Sequence, residues 1–245
     1  MPKTYIGTSG WVYKDWGKKF FPKGLPASKH LPYLATQFNT VEINGTFYRL
    51  QPKSAFKKWH DETTPEFRFA VKVSRFITHI LRMKAASRAW AKFFKRTTPL
   101  KGKLGPFLFQ FPSSFHGKKE NIARLRTFLR CYADPKLRFA FEFRHDSWFI
   151  PEILSLLRRY RAAMVLANSS KYPTAPLVAT GDFIYCRLHG PKKLFSSSYS
   201  EAQLREWAAL LMKFRRQGKD IFVYFNNDQN ANAPANARLL QRLMA

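Results

Sequence analysis

Hydrophobic and polar side chains alternate with a period of two in the run FAFEFR, which begins at Phe139. In an extended strand this spacing places the three phenylalanines on one side and Glu142 with Arg144 on the other. Similar short apolar runs recur along the chain and predict eight strands, at residues 5–7, 40–43, 67–73, 107–110, 139–142, 163–166, 183–188 and 221–225. The sequence therefore predicts a sheet that draws strands from the whole length of the chain.

Between most of these strands, apolar residues recur with helical spacing. Seven helices are predicted, at residues 31–38, 54–61, 85–95, 120–132, 151–160, 201–216 and 235–243. Ser200 and Gln203 have the spacing of a capping box at the start of the helix at 201–216. Residues 168–180 carry Pro173 and Pro176 and no helical period. We therefore predict an α/β fold, a single (β/α)8 barrel of the TIM type that is irregular around the sixth helix.

The length of 245 residues and the hydrophobic content of 45% suit one barrel domain over residues 1–245. No apolar stretch approaches the ~20 residues that cross a bilayer, and nothing resembles a signal peptide. We expect a soluble, cytoplasmic protein with no membrane partner. Cys131 and Cys186 have neither metal-binding nor disulfide spacing, so both are expected to be reduced and buried.

Polar residues gather where the predicted strands end. From the second strand to the eighth, the residues chosen as site candidates are Glu42, Asn44, Lys72, Gln110, Glu142, Arg144, Arg187, His189, Asn226, Asn227 and Asp228. In a parallel barrel the carboxyl ends of the strands form the mouth at which active sites lie. We therefore predict that these side chains share one polar site there.

Seven motifs, YIGTSGWVYKDW, FNTVEINGTFYR, FAVKVSRFITH, LGPFLFQFP, FEFRHDSWF, YCRLHG and VYFNND, resemble those of the family called domain of unknown function 72, the YecE-like proteins. The resemblance implies a barrel related to the (β/α)8 type with a shared polar mouth, and it implies no particular reaction. Asn168 stands where an aspartate is usual, and Phe195 where a tyrosine is usual. These departures weaken the expectation of a functional carboxylate on the sixth strand.

Three residues of the mouth, Glu42, Glu142 and His189, are predicted to be catalytic. Glu142 precedes Arg144 by two residues and has two interpretations. It either forms an ion pair that fixes the barrel rim, or it acts as a general acid or base beside an arginine that binds an anion. Glu42 has the same two interpretations. Because an inward carboxylate is costly unless it is paired, we expect Lys72 or Arg187 beside Glu42. His189 serves either as a proton carrier near pH 7 or as a structural donor.

The other residues of the mouth are predicted to bind a substrate or anion: Asn44, Tyr48, Lys72, Gln110, Arg144, Trp148, Arg187, Asn226, Asn227 and Asp228. The lysine and the two arginines favour a bound phosphate, sulfate or carboxylate. The same cations oppose a divalent metal unless a substrate phosphate intervenes, so no cofactor is expected. The binding of a single divalent ion remains an alternative, because the two glutamates and His189 could supply its ligands.

Lysine and arginine number 43 against 15 aspartates and glutamates, a formal net charge of +28. Such a balance favours an anionic partner, nucleic acid among them. Many of the cations lie at the carboxyl ends of predicted helices, where the helix dipole prefers them. The dipole does not account for their number.

Three functions remain open. The first is a nuclease-like hydrolase of nucleic-acid phosphodiesters, with Glu42, Glu142 and His189 as acid and base residues. The alternative is a hydrolase or isomerase of a small phosphorylated or sugar substrate, which weakens if an arginine locks either carboxylate with no open face. A third is a non-catalytic nucleic-acid binder that uses basic helix ends such as Lys95, Arg96 and Lys101.

Overall fold

Nine short strands form the sheet at the centre of the protein, whose structure is a computed structural model describing residues 1–17 and 19–245. They are β1 (Thr4–Ser9), β2 (Thr40–Ile43), β3 (Arg68–Lys72), β4 (Leu104–Gln110), β5 (Phe139–Glu142), β6 (Ala163–Met164), β7 (Leu166–Asn168), β8 (Phe183–Leu188) and β9 (Asp220–Phe225). Paired strands are parallel, and the order in the sheet is β6-β5-β4-β3-β2-β1-β9-β8-β7.

The sheet closes through a strand that is split in two. β6 pairs with β5, where Ala163 lies beside Ala140, whereas β7 pairs with β8, where Leu166 lies beside Cys186. Only Val165 separates the two short strands, so together they occupy one position in the wall of the barrel. The predicted α/β barrel is confirmed, with the sixth of its eight strand positions broken at a single residue.

The connection after the split strand contains no helix. Residues 169–182, all of which the structure describes, run as loop and bends to the start of β8. Pro173 and Pro176 lack the backbone N–H that a helix interior needs. The predicted irregularity at the sixth helix is therefore confirmed.

Helices connect the other strands and cover the outside of the barrel. They are α1 (His30–Gln37), α2 (Gly45–Tyr48), α3 (Lys53–Asp61), α4 (Ser87–Thr97), α5 (Lys119–Tyr132), α6 (Pro151–Arg159), α7 (Glu201–Arg216) and α8 (Asn232–Met244). The capping box predicted at Ser200 and Gln203 is present at the start of α7. The sequence did not predict α2, because four residues are too short to show a helical period.

The outward faces of the strands pack on the helices through aromatic side chains. Trp90 of α4 lies edge-on to Phe107 of β4 and Phe139 of β5, with ring centroids 5.1 and 5.4 Å apart. Its ring also meets Phe128 of α5 at 5.9 Å. Such pairs add to the burial of apolar area that holds the helices against the barrel.

The inward faces change from apolar to polar toward the mouth. A buried apolar cluster fills the lower barrel: Tyr5, Ala70, Leu108, Ala140, Ala163, Val165, Phe183, Tyr185, Phe222 and Tyr224. Two residues further along β8, beyond Tyr185, the side chain is Arg187, and two further along β5, beyond Ala140, it is Glu142. Because strand side chains alternate, these residues project inward above the cluster. The polar layer thus rests on an apolar plug.

Gly7 of β1 allows the first two strands to approach closely. A Cβ atom at this position would lie 2.1 Å from the backbone oxygen of Thr40, which begins β2. No side chain fits there without moving backbone. The glycine therefore keeps Ser9, two residues along, level with Glu42 in the β1–β2 register.

Both cysteines are free, and only Cys186 is buried. The expectation that Cys131 is buried was wrong, because this residue lies off the stripe of α5 that carries Leu125, Phe128 and Leu129 into the core. Within residues 1–17 and 19–245, no helix combines the length and the apolar character that crossing a bilayer requires.

Candidate functional site

The floor of the mouth is a buried arginine held between two glutamates. Nε and Nη2 of Arg187 donate to Oε2 and Oε1 of Glu42 at 2.9 and 2.8 Å, and Nη1 donates to Oε2 of Glu142 at 2.6 Å. All three side chains are buried. Since a buried charge is costly alone, each of the three depends on the other two.

Glu142 also binds the second arginine of the site. Nε of Arg144 donates to Oε1 of Glu142 at 2.9 Å. The two side chains meet because they project from the same side of the extended chain at the end of β5. Burial raises the pKa of Glu142, but the charges of Arg187 and Arg144 outweigh burial and hold that pKa well below its usual range. Glu142 is therefore an ion throughout the neutral range and a poor acceptor for a substrate proton.

Glu42 has no open face. Besides its two bonds to Arg187, it accepts hydrogen bonds from the hydroxyl of Tyr185 at 2.7 Å and from the hydroxyl of Ser9. The cationic partner expected for Glu42 is thus Arg187. The structure favours the ion-pair interpretation over general acid or base catalysis by this residue, because four donors surround its two oxygens.

His189 is buried beside this floor. Its Nδ1 lies 3.0 Å from the side-chain amide of Asn226, and its Nε2 lies 3.9 Å from Oε1 of Glu142. Burial lowers the pKa of His189 well below its usual value, and the charge of Arg187 lowers it further. The imidazole is neutral at physiological pH, as suits a structural donor and acceptor.

A pocket of about 500 Å³ opens above the floor. Of the residues that the sequence predicts to be in the site, it is lined by Asn44, Tyr48, Lys72, Gln110, Arg144, Asn226 and Asp228. Glu42, Glu142, Arg187 and His189 lie beneath it with at most 2% of their side chains exposed. The strand-end residues therefore divide into a buried floor and an accessible wall.

Besides Arg187, which lies in the floor, two residues predicted to contact a ligand are not in the wall. Trp148 is buried against Phe143, and its indole N–H donates to the carbonyl of Phe115 at 2.6 Å. Asn227 is buried, and its amide donates to the carbonyl of Ser197 and to Asn236. Both predictions are corrected: these side chains are buried and do not line the pocket, and their hydrogen bonds hold neighbouring loops in place.

Lys72 is the least neutralised cation of the pocket. Its Nζ lies 4.3 Å from the ring centroid of Phe47, and among the described residues it has no carboxylate within 4 Å and no hydrogen-bond partner. Burial lowers the pKa of Lys72 to about 7, and the charge of Arg187 adds to the effect. The floor already balances two carboxylates with two guanidiniums, so protonated Lys72 is surplus positive charge.

Asp228 supplies the acid of the pocket. Its Oδ1 is buried without a hydrogen-bond partner among the described residues. Burial raises the pKa of Asp228 to about 8. This effect is larger than the opposite effects of the neighbouring Tyr13 hydroxyl and of the Arg187 charge, which lower that pKa. Asp228 is therefore largely protonated at neutral pH, and the pocket retains its positive character.

Four further residues line the pocket that sequence reasoning did not select as site residues, namely Tyr13, Phe47, His79 and Phe195. His79 lies in a π-helical turn, Phe76–Ile80, and its pKa is lowered to about 4 by burial and by the charge of Lys72. Phe195 has a φ of +63°, a left-handed conformation that is rare for a bulky side chain. Three of the four lie within the recognised motifs, and that was the only signal available.

Asn168 performs a structural task at the end of the split strand. Its Oδ1 accepts a hydrogen bond from the Tyr199 hydroxyl at 2.7 Å, and that hydroxyl accepts the backbone N–H of Gly190 at 3.0 Å. An amide suits this position because it carries no charge. The loop after β8 is anchored in this way to β7.

Larger cavities of about 770 and 610 Å³ lie at the opposite end of the barrel. Arg138, which lines the second, is already paired with Asp220 at 2.6 Å. Neither cavity reaches the buried floor, so the mouth remains the better candidate. Among the described residues, no group of three or more His, Cys, Asp or Glu side chains is placed to hold a metal ion.

The chain matches a known family over most of its length. The profile of the family described as protein of unknown function DUF72 matches residues 5–245. UPF0759 protein YunF of Bacillus subtilis is 28% identical over an alignment that is 270 residues long, gaps included. The alignment covers 98% of this chain and 94% of that protein. UPF0759 protein YecE of Escherichia coli K12 is 29% identical over 145 residues, covering 59% of this chain and 50% of that protein.

Two solved structures share the fold. A DUF72 family protein of Thermotoga maritima superposes with a TM-score of 0.89 at 28% identity and covers 99% of each chain. A DUF72 family protein of Enterococcus faecalis superposes with a TM-score of 0.83 at 21% identity, over 98% of this chain and 95% of that one. At that lower identity the likeness concerns the fold alone.

Proposed function

This chain belongs to the DUF72 family, and on that premise we propose that its barrel mouth is the binding site of an enzyme for a small phosphorylated substrate. The observation that carries the proposal is Lys72, a half-buried amine in the pocket wall that has no anionic partner among residues 1–17 and 19–245. Arg144 lies in the same wall and has only one oxygen of Glu142 to neutralise it. A phosphate group is an anion of the size and charge that the guanidinium of Arg144 can bind, and the positive charge of Lys72 adds to the attraction.

The pocket also suits the organic part of such a ligand. Its volume of about 500 Å³ falls within the roughly 300–1,000 Å³ usual for small-molecule sites. Phe47 and Tyr48 supply aromatic surface, whereas Asn44 and Asp228 supply hydrogen-bonding groups for hydroxyls. A compact hydroxylated phosphate matches this combination.

Hydrolysis of a phosphodiester by the two glutamates has less support. A carboxylate that activates water needs an oxygen free to accept a proton, and both glutamates are closed by arginines. The same closure weakens glycoside hydrolysis by the pair. We assign proton transfer instead to the wall residue Asp228, whose pKa of about 8 lies near neutrality.

Replacing Lys72 with methionine is expected to weaken the binding of inorganic phosphate and glucose 6-phosphate about 10- to 100-fold, the ~1.5–3 kcal/mol of a hydrogen bond to a charged group. Isothermal titration calorimetry at pH 6.5 and constant ionic strength measures the change. Lys53→Met, at an exposed lysine at the start of α3, is the matched control and should bind as the wild type does. Equal affinity in the two variants would refute the role of Lys72.

A nucleic-acid ligand is the second candidate, and the rim of the mouth favours it. Apart from Met1, the exposed large apolar side chains identified on the described surface lie in the loops and short helical turns that follow strands: Val12, Tyr48, Phe76, Ile80, Leu177 and Phe195. Exposed arginines and lysines, including Arg49, Arg75 and Lys192, lie in the same loops. Aromatic rings interspersed with cations form the platform on which single-stranded nucleic acids stack.

The double variant Tyr48→Ala and Phe76→Ala should weaken binding of a 12-nucleotide single-stranded DNA by roughly tenfold or more, since each stacked base contributes ~1–3 kcal/mol. Fluorescence anisotropy at two salt concentrations measures this. The control is the double variant Lys95→Gln and Lys101→Gln, which changes two lysines at the end of the barrel opposite the mouth. A larger loss in this second variant would place binding at the helix ends, as in the non-catalytic alternative, and remove it from the mouth.

A further inference from the structure

The wall of the mouth holds an amine placed for covalent chemistry as well as for charge. We propose that Lys72 forms an imine with the carbonyl carbon of a phosphorylated aldehyde or ketone while Arg144 holds the phosphate. This inference rests on the proposed function and narrows the substrate class from phosphorylated compounds to those that carry a carbonyl group.

The position of Lys72 is the first support. It is the last residue of β3, with its backbone fixed by the sheet, and its side chain enters the pocket directly above the buried floor. Nζ is 4.3 Å from the centroid of Phe47 and donates no hydrogen bond to the described residues. An amine with no hydrogen-bond partner can turn its lone pair toward a bound carbonyl carbon.

The charged neighbours of Lys72 favour its neutral form. Burial acts first, Arg187 and Arg144 repel the proton, and Glu42 with Glu142 attract it. These carboxylates are already paired with the two guanidiniums, so their attraction does not offset the effect of burial. The pKa of Lys72 is therefore lowered to about 7. A substantial fraction of the amine is therefore nucleophilic at physiological pH, unlike that of an exposed lysine.

The reaction requires proton transfers that the pocket can supply. The amine attacks the carbonyl carbon, the C=O electron pair moves to oxygen, and one proton passes from nitrogen to that oxygen to give a carbinolamine. The oxygen then leaves as water after receiving a second proton, while nitrogen loses its remaining proton in forming the C=N bond. One water is released for each imine, and no oxidant or reductant takes part.

Asp228 is the group in the wall suited to deliver the second proton. It lines the same pocket as Lys72, carries a buried Oδ1 with no partner among the described residues, and is protonated at neutral pH. Once it has given up that proton, the Asp228 carboxylate, with a pKa of about 8, can accept the proton that nitrogen loses. The acid and the base are thus the same wall residue, which differs from the closed glutamates of the floor.

Lys103 provides an internal comparison. This lysine is more buried than Lys72, and burial lowers its pKa too. Its Nζ, however, donates to the carbonyls of His60 and Thr63 at 2.5 and 2.8 Å. Its amine is occupied as a donor outside the mouth, so it should not react.

Borohydride trapping tests the proposal. The protein is incubated at pH 7 with glycolaldehyde phosphate, reduced with sodium borohydride, digested and mapped by mass spectrometry. We expect one adduct, on Lys72, at a yield at least about tenfold above that of any other lysine, Lys103 included. Glycolaldehyde without the phosphate should label Lys72 no more than it labels exposed lysines. Adducts spread evenly over the exposed lysines would overturn the proposal.

Phosphate binding and adduct formation by the wild-type protein separate the two hypotheses. Lys72→Arg keeps the positive charge and cannot form an imine under these conditions, so this variant should lose the adduct. If the wild type binds inorganic phosphate and no Lys72 adduct is trapped, the imine is refuted and the phosphate site stands. If the adduct forms and inorganic phosphate does not bind, the covalent step stands and the phosphate site fails.

Discussion

Replacing Arg187 with methionine is expected to lower the free energy of unfolding by about 3–5 kcal/mol, the cost of breaking a buried ion pair by removing one partner. The guanidinium makes three hydrogen bonds to two carboxylates, and none of these side chains reaches solvent to any useful extent. Methionine is apolar, carries no charge and is too short to reach either carboxylate with a polar group. The two glutamates would then lie buried with one guanidinium, that of Arg144, which contacts Glu142 and leaves Glu42 unpaired.

Urea denaturation followed by circular dichroism measures this loss. Arg126→Met is the control, because Arg126 pairs with Glu152 at 2.8 Å while both side chains are more than half exposed. A surface pair of this kind contributes only ~0–1 kcal/mol. The triple variant Arg187→Met, Glu42→Gln and Glu142→Gln should recover part of the stability, since the unpaired charges are removed. An Arg187→Met protein as stable as Arg126→Met would contradict the account of the floor.

Replacing Lys72 with methionine is expected to have the opposite sign, raising the free energy of unfolding by roughly 1–3 kcal/mol at pH 6.5. The folded protein lowers the pKa of Lys72 from its ordinary 10.5 to about 7. A tenfold change in an acid dissociation constant corresponds to about 1.4 kcal/mol, and the smaller expected figure allows for the part of this side chain that solvent still reaches. Methionine keeps the packing against Phe47 and removes the charge.

The lowered pKa of Lys72 also determines how the stability of the protein changes with pH. Between pH 7 and 10.5 the unfolded chain holds a proton on Lys72 that the folded chain has released, so stability rises with pH over that window. Below pH 7 the penalty is present in full, and above 10.5 it is gone. The gain from Lys72→Met should therefore be largest near pH 6.5 and should disappear by pH 10.5.

Denaturation curves at pH 6.5 and 10 for Lys72→Met and Lys53→Met provide the measurement. The Lys53 variant should show no such pH-dependent gain. A Lys72→Met protein less stable than the wild type at pH 6.5 would mean that the amine has a stabilising partner. The expected gain also bears on function, because a side chain that costs stability at a pocket wall is the kind of residue that binding or catalysis retains.

Local patterns in the sequence sufficed for much of the site. The alternation in β5 places Glu142 and Arg144 on one side, and their side chains are joined by a 2.9 Å hydrogen bond. The run of polar residues at strand ends predicts a mouth, and most of the residues chosen there line one pocket. Both inferences depend only on the period of two and on parallel strands, which neighbouring residues determine.

Closure of the barrel decided the rest. Arg187 contacts Glu42 and Glu142 from strands 145 and 45 residues away in the chain, and no local pattern distinguishes that pairing from one with Lys72. The same closure set the depth of each side chain, so that Trp148 turned into the core while Lys72 remained in the wall, unpaired within the part of the chain that the structure describes. Which strand-end groups neutralise one another, and which remain for a ligand, is a property of distances across the barrel, and those exist only once the strands have met.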